Sequence, residues 1–224
     1  MKQIIIILCI LTFTSCDFKS STDYNAEAEK LEQEGKISEA IPLLDKAIEK
    51  DPTNIYALIN RGVDKSILED YKGSIQDYTK IIEIDSDNAL AFLNRGKNKK
   101  RLEDYQGAIE DFEKAIKTKG GEMLYMDKVE NSFIETGFEF DVAMEEIRFE
   151  RGIAYYHIDS LNASYNDFNF CIQKKFELSE SFYHRGLIYI AYGDSNKGCE
   201  DLHKANDLKY QYAKESIDLY CNKE

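Results

Sequence analysis

Apolar side chains recur along this chain three and four residues apart, in blocks of about a dozen residues divided by short polar turns, which is the spacing of amphipathic helices. The blocks predict helix pairs over 23–34 and 38–50, 54–67 and 71–84, 88–101 and 105–118, 145–158 and 162–174, and 179–192 and 195–208. A last helix is expected in the tail, where YAKESIDLY runs from Tyr212 to Tyr220. No strand pattern competes with these blocks.

The pairs restate one another. LNRGKNKKRLEDYQGAIEDFEKAI at 93–116 is a close relative of INRGVDKSILEDYKGSIQDYTKII at 59–82, displaced by 34 residues. Aligned on this period, the first helices share a small residue at Ala28, Gly62, Gly96, Gly152 and Gly186. The second helices share Ala40, Ser74, Ala108, Ser164 and Gly198, then Leu44, Tyr78, Phe112, Phe168 and Leu202, then Ala47, Ile81, Ala115, Cys171 and Ala205. Small residues let two antiparallel helices approach, and the large ones fill the seam between them. A glycine inside a helix costs about 1 kcal/mol relative to alanine, so its recurrence implies a packing gain. Arg61, Arg95, Arg151 and Arg185 recur in the first helices, with Asp77, Asp111, Asp167 and Asp201 in the second. The first unit lacks both, having Glu27 and Leu43 there. Because the partners come and go together, a charge-assisted contact within each unit is expected, in a structural role.

The period and the G/A, A, F/Y, A skeleton resemble the tetratricopeptide repeat family, over 21–122 as three units and 145–212 as two. Pro52 stands where such repeats turn into the next, and Asn54 suits a helix cap. The resemblance implies an all-α, right-handed superhelical solenoid of antiparallel helix pairs with a C-terminal capping helix over 213–224. The first helices would line a concave face that takes a peptide or protein. In this register the C-terminal part of that face carries Phe149, Ile153, Tyr156, His157, Tyr183, Leu187 and Ile190, an apolar and aromatic groove. Earlier units place Glu29, Ser66, Lys97, Lys100 and Arg101 there, with Ile59 and Leu93 among them. Two occupants of the groove stay open: a partner, or the chain's own insert or final helix. In the latter case the acidic outer face or the insert would bind instead. That insert, 123–144, supplies the 22 residues by which the 56-residue spacing from Gly96 to Gly152 exceeds one 34-residue period, and is expected to be partly helical.

Charge narrows the partners. A net charge of -13 over 224 residues opposes a nucleic-acid phosphate backbone. At the amino end, Lys2, the apolar run Ile4 to Phe13 and Thr14-Ser15 before Cys16 have the order of an export signal, too short to span a bilayer. They resemble a bacterial lipoprotein signal over 1–15, with Cys16 lipidated and 16–22 a tether. Of the other cysteines, Cys171, Cys199 and Cys221 do not make a disulfide scaffold, although a Cys199 to Cys221 pair stays open. Cys171 takes a small-residue column and is expected in the core.

Candidate chemistry is sparse. Cys199 and His203 share a helix face but are too few for a zinc site, His157 and His184 have no evident carboxylate partner, and no phosphate-binding glycine loop is present. The expectation is a non-enzymatic interaction adaptor without cofactor or metal, lipid-anchored in a bacterial cell envelope. A hydrolase or metal-binding protein of the same compartment is the alternative.

Overall fold

The computed structural model describes residues 18–118 and 142–222. These residues are helical throughout, without a strand: α1 (Ser21–Gln33), α2 (Ile37–Lys50), α3 (Ile55–Ile67), α4 (Tyr71–Ile84), α5 (Ala89–Arg101), α6 (Tyr105–Lys117), α7 (Met144–His157), α8 (Leu161–Lys174), α9 (Leu178–Ala191), α10 (Ser195–Asp207) and α11 (Ala213–Tyr220). The ten paired helices begin and end within two residues of the expected bounds. The expected signal at 1–15, Cys16 and all of the insert except its last three residues, Val142 to Met144, lie outside the described residues.

Each pair closes through the same local device. Gly35, Glu69, Glu103, Asp159 and Gly193 all take positive φ at one repeat column, 57° to 82°. The next amide then donates back to the last turn of the first helix, as from Asp70 to Lys65 at 2.8 Å and from Asp104 to Lys99 at 2.9 Å. Asp70, Asp104 and Asp194 cap the second helix by accepting from the amide three residues on. Asn54 and Asn88 cap α3 and α5 in the same way.

Packing follows the small-residue columns. A Cβ on Gly96 would stand 2.6 Å from Cε1 of Phe112, and one on Gly62 would stand 3.0 Å from the Tyr78 ring. Ser74 and Ser164 use their column differently, donating to the carbonyls of Gly62 and Gly152 at 2.6 and 2.8 Å. Tyr78, Phe112 and Phe168 are fully buried in the seams they fill, each worth roughly 1.5–3 kcal/mol of apolar burial.

The arginines do more than the expected contact within a unit. Nε and Nη2 of Arg61, Arg95, Arg151 and Arg185 fork onto Asp77, Asp111, Asp167 and Asp201 at 2.5–3.1 Å. Nη1 reaches back to the preceding unit's second helix: Arg61 to Asp45 at 2.8 Å, Arg95 to Thr79 at 3.2 Å and Arg185 to Asn169 at 2.7 Å. Each of these three guanidinium groups therefore ties two repeats together.

The break in the sequence period is not a break in the core. Val142, Ile147 and Ala154 pack with Phe92, Phe112 and Ala115, so the third and fourth units stack directly. At the far end Cys199 and Cys221 form a disulfide that fastens the end of α11 to α10. Cys171 is buried and its thiol is pushed up to about 12, chiefly by burial.

Candidate protein-binding groove

The first helices meet one another side by side along the stack. Asn60 of α3 donates to Asn25 and Glu29 of α1. Ser66 of α3 donates to Asn98 of α5 at 2.8 Å, and Lys97 and Lys100 of α5 pair with Glu146 and Glu150 of α7, each at 2.5 Å. Tyr156 of α7 meets the His184 ring of α9, and Ser216 of α11 reaches the Tyr183 hydroxyl at 3.4 Å. Since α1 touches α3 and α5 touches α7 directly, the first helices form the inner side of the stack.

Of the seven residues expected to line the C-terminal groove, two are spent on packing. Phe149 is only 8% exposed and sits edge-on to Phe168 and Phe176, with ring centroids 6.0 and 5.8 Å away. Ile190 leans over Gly198, where its Cδ1 stands 2.5 Å from the place of a Cβ. Ile153, Tyr156, Tyr183 and Leu187 are half-buried. Tyr183 also lies against Tyr210, with centroids 4.8 Å apart, so the C-terminal segment covers part of this face. His157 is exposed, its ring stacked on Tyr105 at 4.4 Å and edge-on to Tyr156 at 6.3 Å. Burial, with the His184 and Lys100 charges adding, pushes its imidazole below the ordinary range.

His184 is the centre of the cluster and, against the expectation that it has no carboxylate partner, meets one from its own helix. Its ring stacks on Phe168 at 4.9 Å between Tyr156 and Tyr183, and Nε2 lies 3.6 Å from Oε1 of Glu180, one turn earlier. The His184 imidazole draws the Glu180 carboxyl below its usual range, burial opposes this, and the Tyr210 hydroxyl adds to the pull. Lys100 is committed to Glu150, whereas Arg101 is exposed.

The widest apolar exposure on the inner side lies elsewhere, on α3. Tyr56 and Val63 are each 38% exposed and Ile67 is 58% exposed. With Ile59 they fall in the arc between Asn60 and Ser66, the residues by which α3 reaches α1 and α5. Their spacing of three and four residues is plain in the sequence, but their exposure depends on what α1 and α5 leave uncovered.

Among the described residues no group of three or more His, Cys, Asp and Glu is placed to hold a metal, and Cys199 is engaged in its disulfide. No described helix is long and apolar enough to cross a membrane.

Comparison with known proteins places this geometry. The family model described as tetratricopeptide repeat matches residues 89–120. A comparison with curated protein sequences gives no match. Among solved structures, YrrB, described as a TPR protein with an unusual peptide-binding site, is 20% identical with a TM-score of 0.69, over 88% of this chain and 92% of that one. MamA from Desulfovibrio magneticus RS-1 is 14% identical with a TM-score of 0.69, over 84% and 94%. PilW, described as a type IV pilus biogenesis factor, is 13% identical with a TM-score of 0.64, over 84% and 76%. These likenesses are of fold. Residues 89–120 match the tetratricopeptide repeat family, and the described chain has the family's solenoid of paired antiparallel helices.

Proposed function

We propose that this chain is a non-enzymatic interaction scaffold, tethered to a bacterial envelope membrane through Cys16, that holds a peptide or protein segment on its inner face. The observation that carries the reading is the exposed stripe of Tyr56, Val63 and Ile67 on α3, with the half-buried Ile59 beside it, in the arc between the residues by which α3 reaches α1 and α5. Apolar area of this kind, rimmed by polar groups, is what a partner covers. Tyr156, Tyr183 and Leu187 supply a second contact farther along. The order of Lys2, the apolar run and Cys16 supports the tether, and the Cys199 to Cys221 disulfide suits an oxidising compartment. The peptide-binding site in the description of YrrB and the part in type IV pilus biogenesis in that of PilW are in keeping with this use of the fold.

The test is crosslinking in native membranes followed by mass spectrometry. Wild type, a Val63→Asp/Ile67→Asp variant and a Tyr156→Ala/Tyr183→Ala variant are compared at matched amounts of folded protein. Loss of a reproducible partner in the α3 variant is expected. Retention of every partner in both variants would remove the inner face as the binding surface. A Cys16→Ser variant should leave the membrane fraction, and its retention there would overturn the lipid tether.

A further inference from the structure

The seams between the first helices use one position for opposite chemistries. Between the second and third units, Ser66 donates to Asn98 at 2.8 Å, and Asn98 donates to Ser74 at 2.9 Å, a neutral chain in which each polar group has a partner. Thirty-four residues earlier the same three positions are Glu32, Asp64 and Ala40. Two carboxyl groups thus replace a hydroxyl and an amide, and the hydroxyl that would have completed the chain is a methyl.

Asp64 is 2% exposed, and its Oδ2 has no hydrogen-bond partner; neither has Oε1 of Glu32. Glu32 and Asp64 stand at the positions through which Ser66 and Asn98 meet in the next seam, which sets the two carboxyls against each other, and a hydrogen bond between them requires a proton on one. The groups around them do not supply a cation. From α1, Glu29 adds a further negative charge, tempered by the amides of Asn25 and Asn60. From α2, Asp45 is turned to Arg61. From α4, Asp77 is held by Arg61 and Lys65, and the Tyr78 phenol is pushed up by burial and by the Asp77 and Asp64 charges. From α5, Asn98 is turned to Ser66 and Ser74 in the next seam.

We propose that the seam between the first and second repeats is a proton-dependent joint, closed while Glu32 and Asp64 share a proton and loosened when both are ionised. The inference goes beyond the interaction reading and does not rest on it. Two like charges in a buried seam repel and lose their mutual hydrogen bond, and only α1 and α2 lie on the outer side of it. Solenoid units hold mainly their neighbours, so the first unit opens without the rest.

The sign follows from linkage. Burial first, then the Glu32 charge and the shared hydrogen bond, push the Asp64 carboxyl up to about 7. A folded-state value above the unfolded one means that the closed seam binds the extra proton. Its stabilisation is present in acid and is lost as pH rises toward that value, by up to about tenfold in the opening constant per pH unit.

Native-state hydrogen exchange on the full chain tests this between about pH 5 and pH 8, with rates corrected for the intrinsic pH dependence of amide exchange. Protection of α1 and α2 amides should fall with pH by at least about tenfold, while α9 amides keep theirs. Asp64→Asn, the residue the next seam uses, and independently Glu32→Gln should flatten the α1 profile. If Asp64→Asn does not fold, Glu32→Gln carries the comparison. An α1 profile that is flat in wild type, or equally steep in a folded variant, would overturn the joint.

Discussion

Gly96 and Phe112 define the tightest of the first-helix glycine contacts in the repeat skeleton: a Cβ on the glycine would stand 2.6 Å from Cε1 of the ring. At Gly152 the same test meets Phe168 at 3.3 Å, close to ordinary contact. Alanine gains about 1 kcal/mol of helix propensity at either place, but overpacking a filled core costs about 1–3 kcal/mol. Gly96→Ala is therefore expected to lower stability in urea unfolding. Gly152→Ala should be near neutral or stabilising, and equal losses at both would contradict the packing account.

The arginine ladder makes unequal predictions at equivalent positions. Asp77 also holds Lys65 at 2.8 Å, whereas the lysine column is Tyr155 in the fourth unit, so Arg151 is the cation in contact with Asp167. Asp167 is 2% exposed, and stranding a buried carboxylate costs about 3–5 kcal/mol. Arg151→Ala should thus destabilise by several kcal/mol and more than Arg61→Ala. A double-mutant cycle on Arg151 and Asp167 should show losses well short of additive; additive losses would remove the pairing as a stabilising contact.

At the turn column, Glu69 and Glu103 adopt φ of 63° and 62°, where Gly35 and Gly193 stand in other units. Both glutamates are exposed, and glycine takes this left-handed conformation without the Cβ penalty. Glu103→Gly should raise the thermal midpoint, by about 0.5–1 kcal/mol of stability. A fall would show that the Glu103 side chain contributes more than its backbone strain.

The disulfide closes a loop with a sequence separation of 22. Cys199→Ser/Cys221→Ser should lower the stability of the C-terminal unit by about 3 kcal/mol. Hydrogen exchange should localise the loss to α10 and α11, leaving α1 to α6 unchanged, because stacked units pass little energy beyond their neighbours. Loss of protection spread along the whole chain would contradict this.

How the groove was legible differs from how the fold was. The glycine, aromatic and arginine columns are short-range constraints stated five or four times over, so each copy checks the register of the others. The residues lining a face are set once each. Phe149 and Ile153 lie one turn apart on the same helix, yet the first is enclosed by Phe168 and Phe176 and the second is half-open. Nothing in their own spacing separates them. Glu180 and His184 were one turn apart in the sequence, but only the approach of Phe168, Tyr156, Tyr183 and Tyr210 makes them one cluster.

The sequence by itself determined the helices, their pairing and the contact of Arg61, Arg95, Arg151 and Arg185 with the aspartates of their own units. These are consequences of helical periodicity and of a packing rule that every repeat must satisfy locally. Only the tertiary structure decided that the third and fourth units stack across the insert through Val142 and Ile147, and that the guanidinium groups reach back into the preceding unit. It also decided that Cys199 meets Cys221, that α3 carries the open stripe, and that Glu32 and Asp64 share a buried seam. Exposure and proton affinity depend on every neighbour a side chain meets, and those neighbours come from distant parts of the chain only after it has folded.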